Sequence, residues 1–332
     1  MPARRVLLTG ATGFVGGHVA RALCAAGWTV RAIARDPAAR GAREIAGLPV
    51  EVIAGDLSSG SSAALAAAAE GCTAIVHAAG LVKAASLAAY REVNALGTER
   101  LLAAARQTAP GALFVLVSSQ AAAGPAREGR PVAEGDPARP VSWYGLSKRE
   151  GEEAVARLWT GPWIVLRPGI VYGPGDRGLL RLFASAARGL LPVPAGLARV
   201  QLISARRAAA GIAAAAERAS LSGRTGFLCE PEAVSIGDLA RMIARLAEPP
   251  ARLLPVPDFV VRLAGTLETL REKVTGRSRP FNADKAREVL AGDWLCDPAP
   301  MLRDLDLPAA SPLQDGLRET WDWYRERGWL PL

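Results

Sequence analysis

The sequence predicts a doubly wound α/β fold built on a parallel sheet. Three observations lead there. Short β-rich apolar runs alternate with alanine-rich stretches of helical periodicity. The runs lack the polar alternation of half-exposed strands, as expected where helices cover both faces. A glycine-spaced loop joins the first run to the first helical stretch.

In order along the chain, "RVLLTG" (5–10), "TVRAIA" (29–34), "VEVIAG" (50–55) and "TAIVHAAG" (73–80) read as strands. So do "ALFVLVSS" (112–119) and "WIVLRPG" (163–169), with "GFLCE" (226–230) as one further strand. Between them, "GGHVARALCAAG" (16–27), "EVNALGTERLLAAARQ" (92–107), "SWYGLSKREGEEAVARL" (142–158) and "ARRAAAGIAAAAERA" (205–219) carry apolar residues at helical spacing. From about residue 170 the composition shifts. Gly and Pro cluster in "RPGIVYGPGDRG" and "LLPVPAGLARV", typical of loops that shape a ligand pocket. Short helices with Pro-rich links follow, ending in the aromatic helix "GLRETWDWYRERGWL". Residues 1–169 and about 200–232 therefore read as a dinucleotide-binding domain, and 170–199 with 233–332 as a substrate-binding region.

Composition narrows the function classes. The 332 residues are half hydrophobic, enough for a sizeable core. The formal charge of +8 comes from arginines, 36 against 4 lysines, scattered along helical segments without aromatic interleaving. That is a solvated surface, and no nucleic-acid partner is expected. Cys24, Cys72, Cys229 and Cys296 lie far apart in sequence and read as reduced core residues. With only His18 and His77, neither a histidine metal cluster nor a serine–histidine triad is expected. No uncharged apolar run reaches 18 residues and the start lacks a signal-like run, so the expectation is a cytoplasmic protein without a membrane partner.

Gly10, Gly13 and Gly16 are spaced three apart between the first strand and the first helix, with Thr12, Phe14 and Val15 among them. Glycines there let backbone N–H groups approach a pyrophosphate, and the helix N-terminus favours its charge. Alone this pattern can be a mere turn; within a βαβ series it indicates a Rossmann-type dinucleotide site. NAD-specific proteins usually place an acid at the end of the second strand for the ribose hydroxyls. Here Ala34 occupies that place and Arg35 follows, a guanidinium suited to a 2′-phosphate. NADP(H) is thus favoured over NAD(H), the alternative being a surface Arg35 with Asp36 on the ribose. Asp56, followed by Leu57, is placed either for the adenine amino group or as a loop cap.

Tyr144 and Lys148 stand one helical turn apart in "WYGLSK". The chain has four tyrosines and four lysines, so about 0.05 Tyr-x-x-x-Lys pairs are expected by chance. A phenol ordinarily titrates near 10, and a nearby ammonium together with an oxidised nicotinamide would lower that value. Tyr144 would then exchange a proton with an alcohol or carbonyl while a nicotinamide exchanges a hydride. The plainer reading is a buried aromatic beside a snorkelling lysine. Ser119 ends the fifth strand, where ligands gather in open α/β sheets, and would hold the substrate oxygen; Ser118 would point the other way.

Taken in order, "TGATGFVG", "DL" (56–57), "HAAG" (77–80), "VNALGT" (93–98), "VSS", "YGLSK" and "RPGIVYGPGD" resemble the extended short-chain dehydrogenase/reductases over nearly the whole chain. The resemblance implies a catalytic set of Ser119, Tyr144 and Lys148, with Lys148 also holding the nicotinamide ribose. It gives Asn94 a supporting role in the site and proton relay. It lines the cofactor with Ala78, Ala79 and Gly80, and starts the segment at the nicotinamide amide with Pro168. It further implies a homodimer through helices near 94–107 and 144–159. "SSQAAAG" lacks the acidic pair of the sugar-nucleotide 4,6-dehydratases and is more similar to the hydroxysteroid dehydrogenase and dihydroflavonol reductase branches. Reversible carbonyl–alcohol conversion on an apolar substrate leads. A nucleotide-sugar 4-epimerase with tightly bound NAD and a non-catalytic dinucleotide-binding scaffold are the alternatives. "LISARRAAA" (202–210) departs from the family pattern, since Arg206 and Arg207 invert its usual local charge. For the substrate, Lys83 (or a loop lysine), Tyr172 with the "GPGD" turn, and the basic segment 272–282 are candidates.

Overall fold

The computed structural model describes residues 4–38, 40–58, 61–196, 198–275 and 281–331. The first half runs β1 (Arg5–Thr9), α1 (Phe14–Ala25), β2 (Thr29–Ala34), α2 (Arg40–Ile45), β3 (Val50–Ala54), α3 (Ser62–Ala69) and β4 (Ala74–His77). It continues through α4 (Leu87–Asn94), α5 (Leu96–Thr108), β5 (Leu113–Val117), α6 (Gln120–Ala123), α7 (Trp143–Leu158) and β6 (Trp163–Pro168). The second half adds β7 (Ile170–Tyr172), α8 (Leu180–Ala187), β8 (Leu190–Pro194), β9 (Arg199–Ser204), α9 (Ala205–Ala215), β10 (Arg224–Leu228) and β11 (Ala233–Ser235). Then come α10 (Ile236–Ala244), β12 (Arg252–Val256), α11 (Asp258–Thr275), α12 (Ala283–Val289), α13 (Ala299–Asp304) and α14 (Leu313–Glu326).

Seven strands form the main sheet in the order β10-β6-β5-β4-β1-β2-β3, every pair parallel. Because successive strand side chains alternate faces, Val6 and Leu8 join the core beneath α1 and α9, while Leu7 joins the opposite core beneath α3, α5 and α7. The strand order reverses between β1 and β4, which places the ligand crevice at their C-terminal ends. The fold is therefore the doubly wound Rossmann type that the alternation predicts.

Two small sheets lie outside the main one. β11-β9-β7 and β12-β8 surround a third core that includes Phe183, Leu239, Ile243, Trp321 and Tyr324. β9 pairs with β7 and β11, although its sequence position suggests the main sheet; α9 and β10 do pack there. The segment read as one helix over 92–107 is two. α4 ends at Asn94 and α5 begins at Leu96, with Ala95 between them at φ −102° and ψ −64°. Asn94 turns its side chain into hydrogen bonds with Leu81 and Ser147, which a continuous surface helix would not do.

All four cysteines are free thiols. Cys229 and Cys296, 67 residues apart, meet with their sulfurs 3.2 Å apart in a small buried cluster. Among the described residues, no helix is long and apolar enough to cross a membrane.

Candidate active site

The glycine loop is built by close approaches that side chains would block. Gly10 has φ +77°, and a methyl group on it would lie 2.6 Å from Ala79 N. One on Gly16 would lie 1.9 Å from the Gly10 carbonyl oxygen, so only glycine lets α1 start this close to β1. Gly13, the residue before α1, has extended backbone geometry and makes no side-chain cap. The backbone N–H groups of the first turn of α1 thus face a loop of minimal bulk, which fits a pyrophosphate. The "GPGD" turn folds over this loop: His18 Nε2 pairs with the Pro174 carbonyl at 2.9 Å, and Gly175 lies against Phe14. Thr9 Oγ1 accepts the Ala79 N–H at 3.2 Å and pairs with His77 Nδ1 at 2.6 Å, fixing the end of β4 beside Gly10.

Ala34 is buried at the end of β2, and Arg35 next to it is exposed. Asp36 accepts the Ala38 N–H at 2.8 Å, which turns its carboxylate to its own turn. Asp56 Oδ1 accepts from the Ser58 N–H and both the Ser58 and Ser61 hydroxyls, and these bonds hold its carboxyl below the usual carboxylate range. That is the loop-cap arrangement. The Leu57 carbonyl accepts from Arg100 at 3.0 Å.

Gly145 of "YGLSK" brings the reactive candidates together. A methyl group there would sit 2.3 Å from the Ala121 carbonyl, so its absence lets α7 close on α6. Ser119 caps α6 by accepting the Ala121 N–H, and its hydroxyl hydrogen-bonds Tyr144 near the start of α7. Ser118 donates instead to Glu152, further along α7, at 2.6 Å, and Glu152 also forms a buried bidentate pair with Arg167. Lys148, one turn on, is buried and donates to the Val117 carbonyl at 2.7 Å. Gly80 lies next to it: a methyl group there would come 3.5 Å from Lys148 Nζ and 3.2 Å from Asn94 Oδ1. A buried ammonium with donors to spare fits the hydroxyls of a nicotinamide ribose. Asn94 accepts the Leu81 N–H at 2.7 Å and donates to the Leu81 carbonyl at 3.0 Å and to Ser147 at 2.9 Å. It thereby locks the segment after Ala78, Ala79 and Gly80 onto α7. Pro168 ends β6 beside Leu228.

The electrostatics correct one expectation. Burial pushes the Tyr144 phenol up to about 12; the Ser119 hydrogen bond opposes this and the charge of Glu288 adds to it. Lys148 spends a hydrogen bond on Val117 rather than acidifying the phenol, and burial brings its own value down to about 8 against the pull of Glu152. Without a bound nicotinamide, the protein's own groups therefore keep the Tyr144 phenol protonated at neutral pH.

Some candidates lie elsewhere, and other contributors have no sequence motif. Tyr172 is buried in the third core with its hydroxyl against Gly316 of α14, so it packs the substrate region and does not wall a pocket. Arg206 and Arg207 pair with Glu319 and Glu230, tying α9 to the C-terminal region. Lys83 is half-buried, and burial, Arg181, Arg177 and Lys285 lower its value against the pull of Asp176. Within 272–282, residues 276–280 lie outside the described residues. Asp284, 141 residues after Trp143, accepts the Trp143 N–H with both oxygens (2.9 and 3.0 Å) and anchors the start of α7. Tyr90 sets its ring 6.0 Å from that of Tyr144. Only an Asn-x-Asp helix start marks Asp284 in sequence, and nothing there links it to α7.

Residues 6–237 match the NAD dependent epimerase/dehydratase family. The chain is 38% identical over 328 residues to a ceramide reductase of Caulobacter vibrioides, covering 98% of this chain and 96% of that one. It is 28% identical over 338 residues to a UDP-glucose 4-epimerase of Vibrio cholerae, covering 96% and 94%. The crystal structure of gox2253 superposes with a TM-score of 0.79 at 25% identity, covering 99% of this chain and all of that one. Family profile, whole-length relatives and sheet topology agree: the chain belongs to the NAD-dependent epimerase/dehydratase family and is an NAD(P)-dependent enzyme of the extended short-chain dehydrogenase/reductase type.

Proposed function

We propose that the protein is an NADP(H)-dependent reductase that converts a ketone on a ceramide-like lipid to a secondary alcohol. The observation that carries this reading is the placement of Tyr144 beside Ser119 and one helical turn from buried Lys148. When bound at the glycine loop, NADPH would supply the hydride for the carbonyl carbon. Ser119 holds the carbonyl oxygen against Tyr144 Oη, and the phenol delivers its proton to that oxygen as negative charge develops. Lys148, buried and hydrogen-bonded to the Val117 carbonyl, would hold the cofactor ribose with its remaining donors. Asn94 positions the segment 79–81. The lipid assignment draws on the ceramide reductase likeness over nearly the whole chain.

NADP(H) preference is supported by exposed Arg35 beside a strand end without a carboxylate. Arg35→Glu is expected to weaken NADPH binding by about 1.5–3 kcal/mol, a loss of roughly tenfold to a hundredfold, and to leave NADH binding nearly unchanged. Titrating both cofactors into both proteins checks this; equal effects on the two would remove the role of Arg35. For the reaction, purified protein with NADPH and a panel of lipid ketones should consume NADPH and leave nucleotide sugars unchanged. NAD that co-purifies with the protein and supports epimerisation of a UDP-sugar would overturn the proposal in favour of the epimerase.

A further inference from the structure

α11 presents an apolar face that none of the described residues covers. Phe259, Leu263, Leu267, Leu270 and Val274 recur every three or four residues along it, which sets them on one stripe. Val274 is 87% exposed, Phe259 69%, and the three leucines about half. The opposite face is buried: Val261 and Gly265 turn inward, Gly265 against Ala286 of α12, and Glu272 accepts from Asn282. From Phe259 to Thr275, every described side chain that is exposed is apolar, a threonine, or one of the flanking arginines Arg262 and Arg271. The carboxylates of Glu268 and Glu272 lie on the inner half, Glu268 reaching back to pair with Arg271.

α11 connects to the candidate active site through α12. Ala283 at the start of α12 donates its N–H to Thr269 of α11, and the next residue, Asp284, anchors α7 just before Tyr144. The axis of α11 thus stands two helix-packing steps of about 8–10 Å each from that of α7, which carries Tyr144. Arg177, Arg181 and Lys285 lie close enough to Lys83 to act on its charge, as does Asp176.

We propose that α11 lies in the surface of an anionic phospholipid bilayer, its leucine stripe among the acyl chains and its arginines among the headgroups. Apolar residues bordered by cations, on a helix of about 27 Å that does not span, make up the pattern of an interfacial helix. The +8 charge of the chain and the cations near Lys83 complement an anionic leaflet. The expectation of no membrane partner came from the lack of a spanning run and does not bear on such a contact. That the contact delivers substrate rests on the lipid-ketone reading; the binding itself does not.

Co-sedimentation with phosphatidylcholine vesicles, with and without phosphatidylglycerol, tests the proposal in the absence of any substrate. The full chain should pellet with the anionic vesicles and less so in high salt. Leu263→Ser/Leu267→Ser/Leu270→Ser, at exposed positions, should lower partitioning roughly tenfold or more while keeping the melting temperature and turnover of a water-soluble ketone. A wild-type chain that stays in solution, or a triple variant that pellets equally, overturns the proposal. So does a triple variant that merely halves the mass in light scattering, since a second copy would then cover the stripe. Vesicle binding without turnover of any ketone would keep the membrane contact and defeat the functional reading; lipid-ketone turnover without vesicle binding would do the reverse.

Discussion

His77 ends β4 with both ring nitrogens engaged, Nδ1 with Thr9 and Nε2 with Thr98 at 3.0 Å. Burial, with a smaller contribution from the Lys148 charge, lowers its value to about 3. The sign of the linkage follows. Between about pH 6.5 and 3 the unfolded chain binds a proton that the folded chain refuses, so stability falls as pH falls through that window. The loss is about 1.4 kcal/mol per pH unit, or about 2 kcal/mol at pH 5. Buried Asp176 and Asp284 and part-buried Glu230, whose values are raised, act in the opposite sense, so the comparison must be between variants. Urea unfolding at pH 7 and pH 5 should show that this increment disappears in His77→Gln; an unchanged difference would contradict a neutral buried imidazole. At this scale the sequence was informative where a strand end dictates direction. Ser119 and Ser118 do take different partners, Tyr144 and Glu152, two turns apart on α7. It was uninformative about the phenol, because the balance between burial and a lysine depends on where that ammonium makes its hydrogen bonds.

Helix packing decides whether the candidate groups meet. α7 approaches α6 at Gly145 and the α4–α5 junction at Gly151, where a methyl group would lie 2.6 Å from the Asn94 carbonyl. Gly145→Ala should push α7 away from α6, at a cost of about 1–3 kcal/mol. The melting temperature should drop by several degrees, at about 2–4 °C per kcal/mol in a chain of this size. Turnover should fall further than the remaining folded fraction explains, because Ser119 and Tyr144 would separate. A variant with wild-type melting and turnover would show that the close approach is not needed. The parallel strands were legible because continuous apolar runs leave few other options. The break at Ala95 was not: it exists because Asn94 bonds across to Leu81 and Ser147, partners distant in sequence.

Across the whole molecule, two halves differ in how openly the sequence displays them. The main sheet follows from alternating apolar runs and the glycine loop. The C-terminal region forms from aromatic contacts, such as Phe183 with Tyr324 at 5.2 Å, and from α12 reaching back to α7, and no periodicity announces either. The helices expected to form a dimer direct Leu101, Leu102 and Val155 into their own core. Their outer surface carries the Arg91–Glu150 and Arg157–Glu99 ion pairs beside half-exposed Leu96. What unites the halves is Tyr144, set by α6 and α7 from one side and by Asp284 of α12 from the other. The decisive measurement is therefore NADPH oxidation by Tyr144→Phe, alongside its NADPH affinity. The account predicts turnover lowered by about 10²–10⁴ with cofactor binding retained, the range expected when a positioned proton donor is removed. Wild-type turnover by the phenylalanine variant would contradict it.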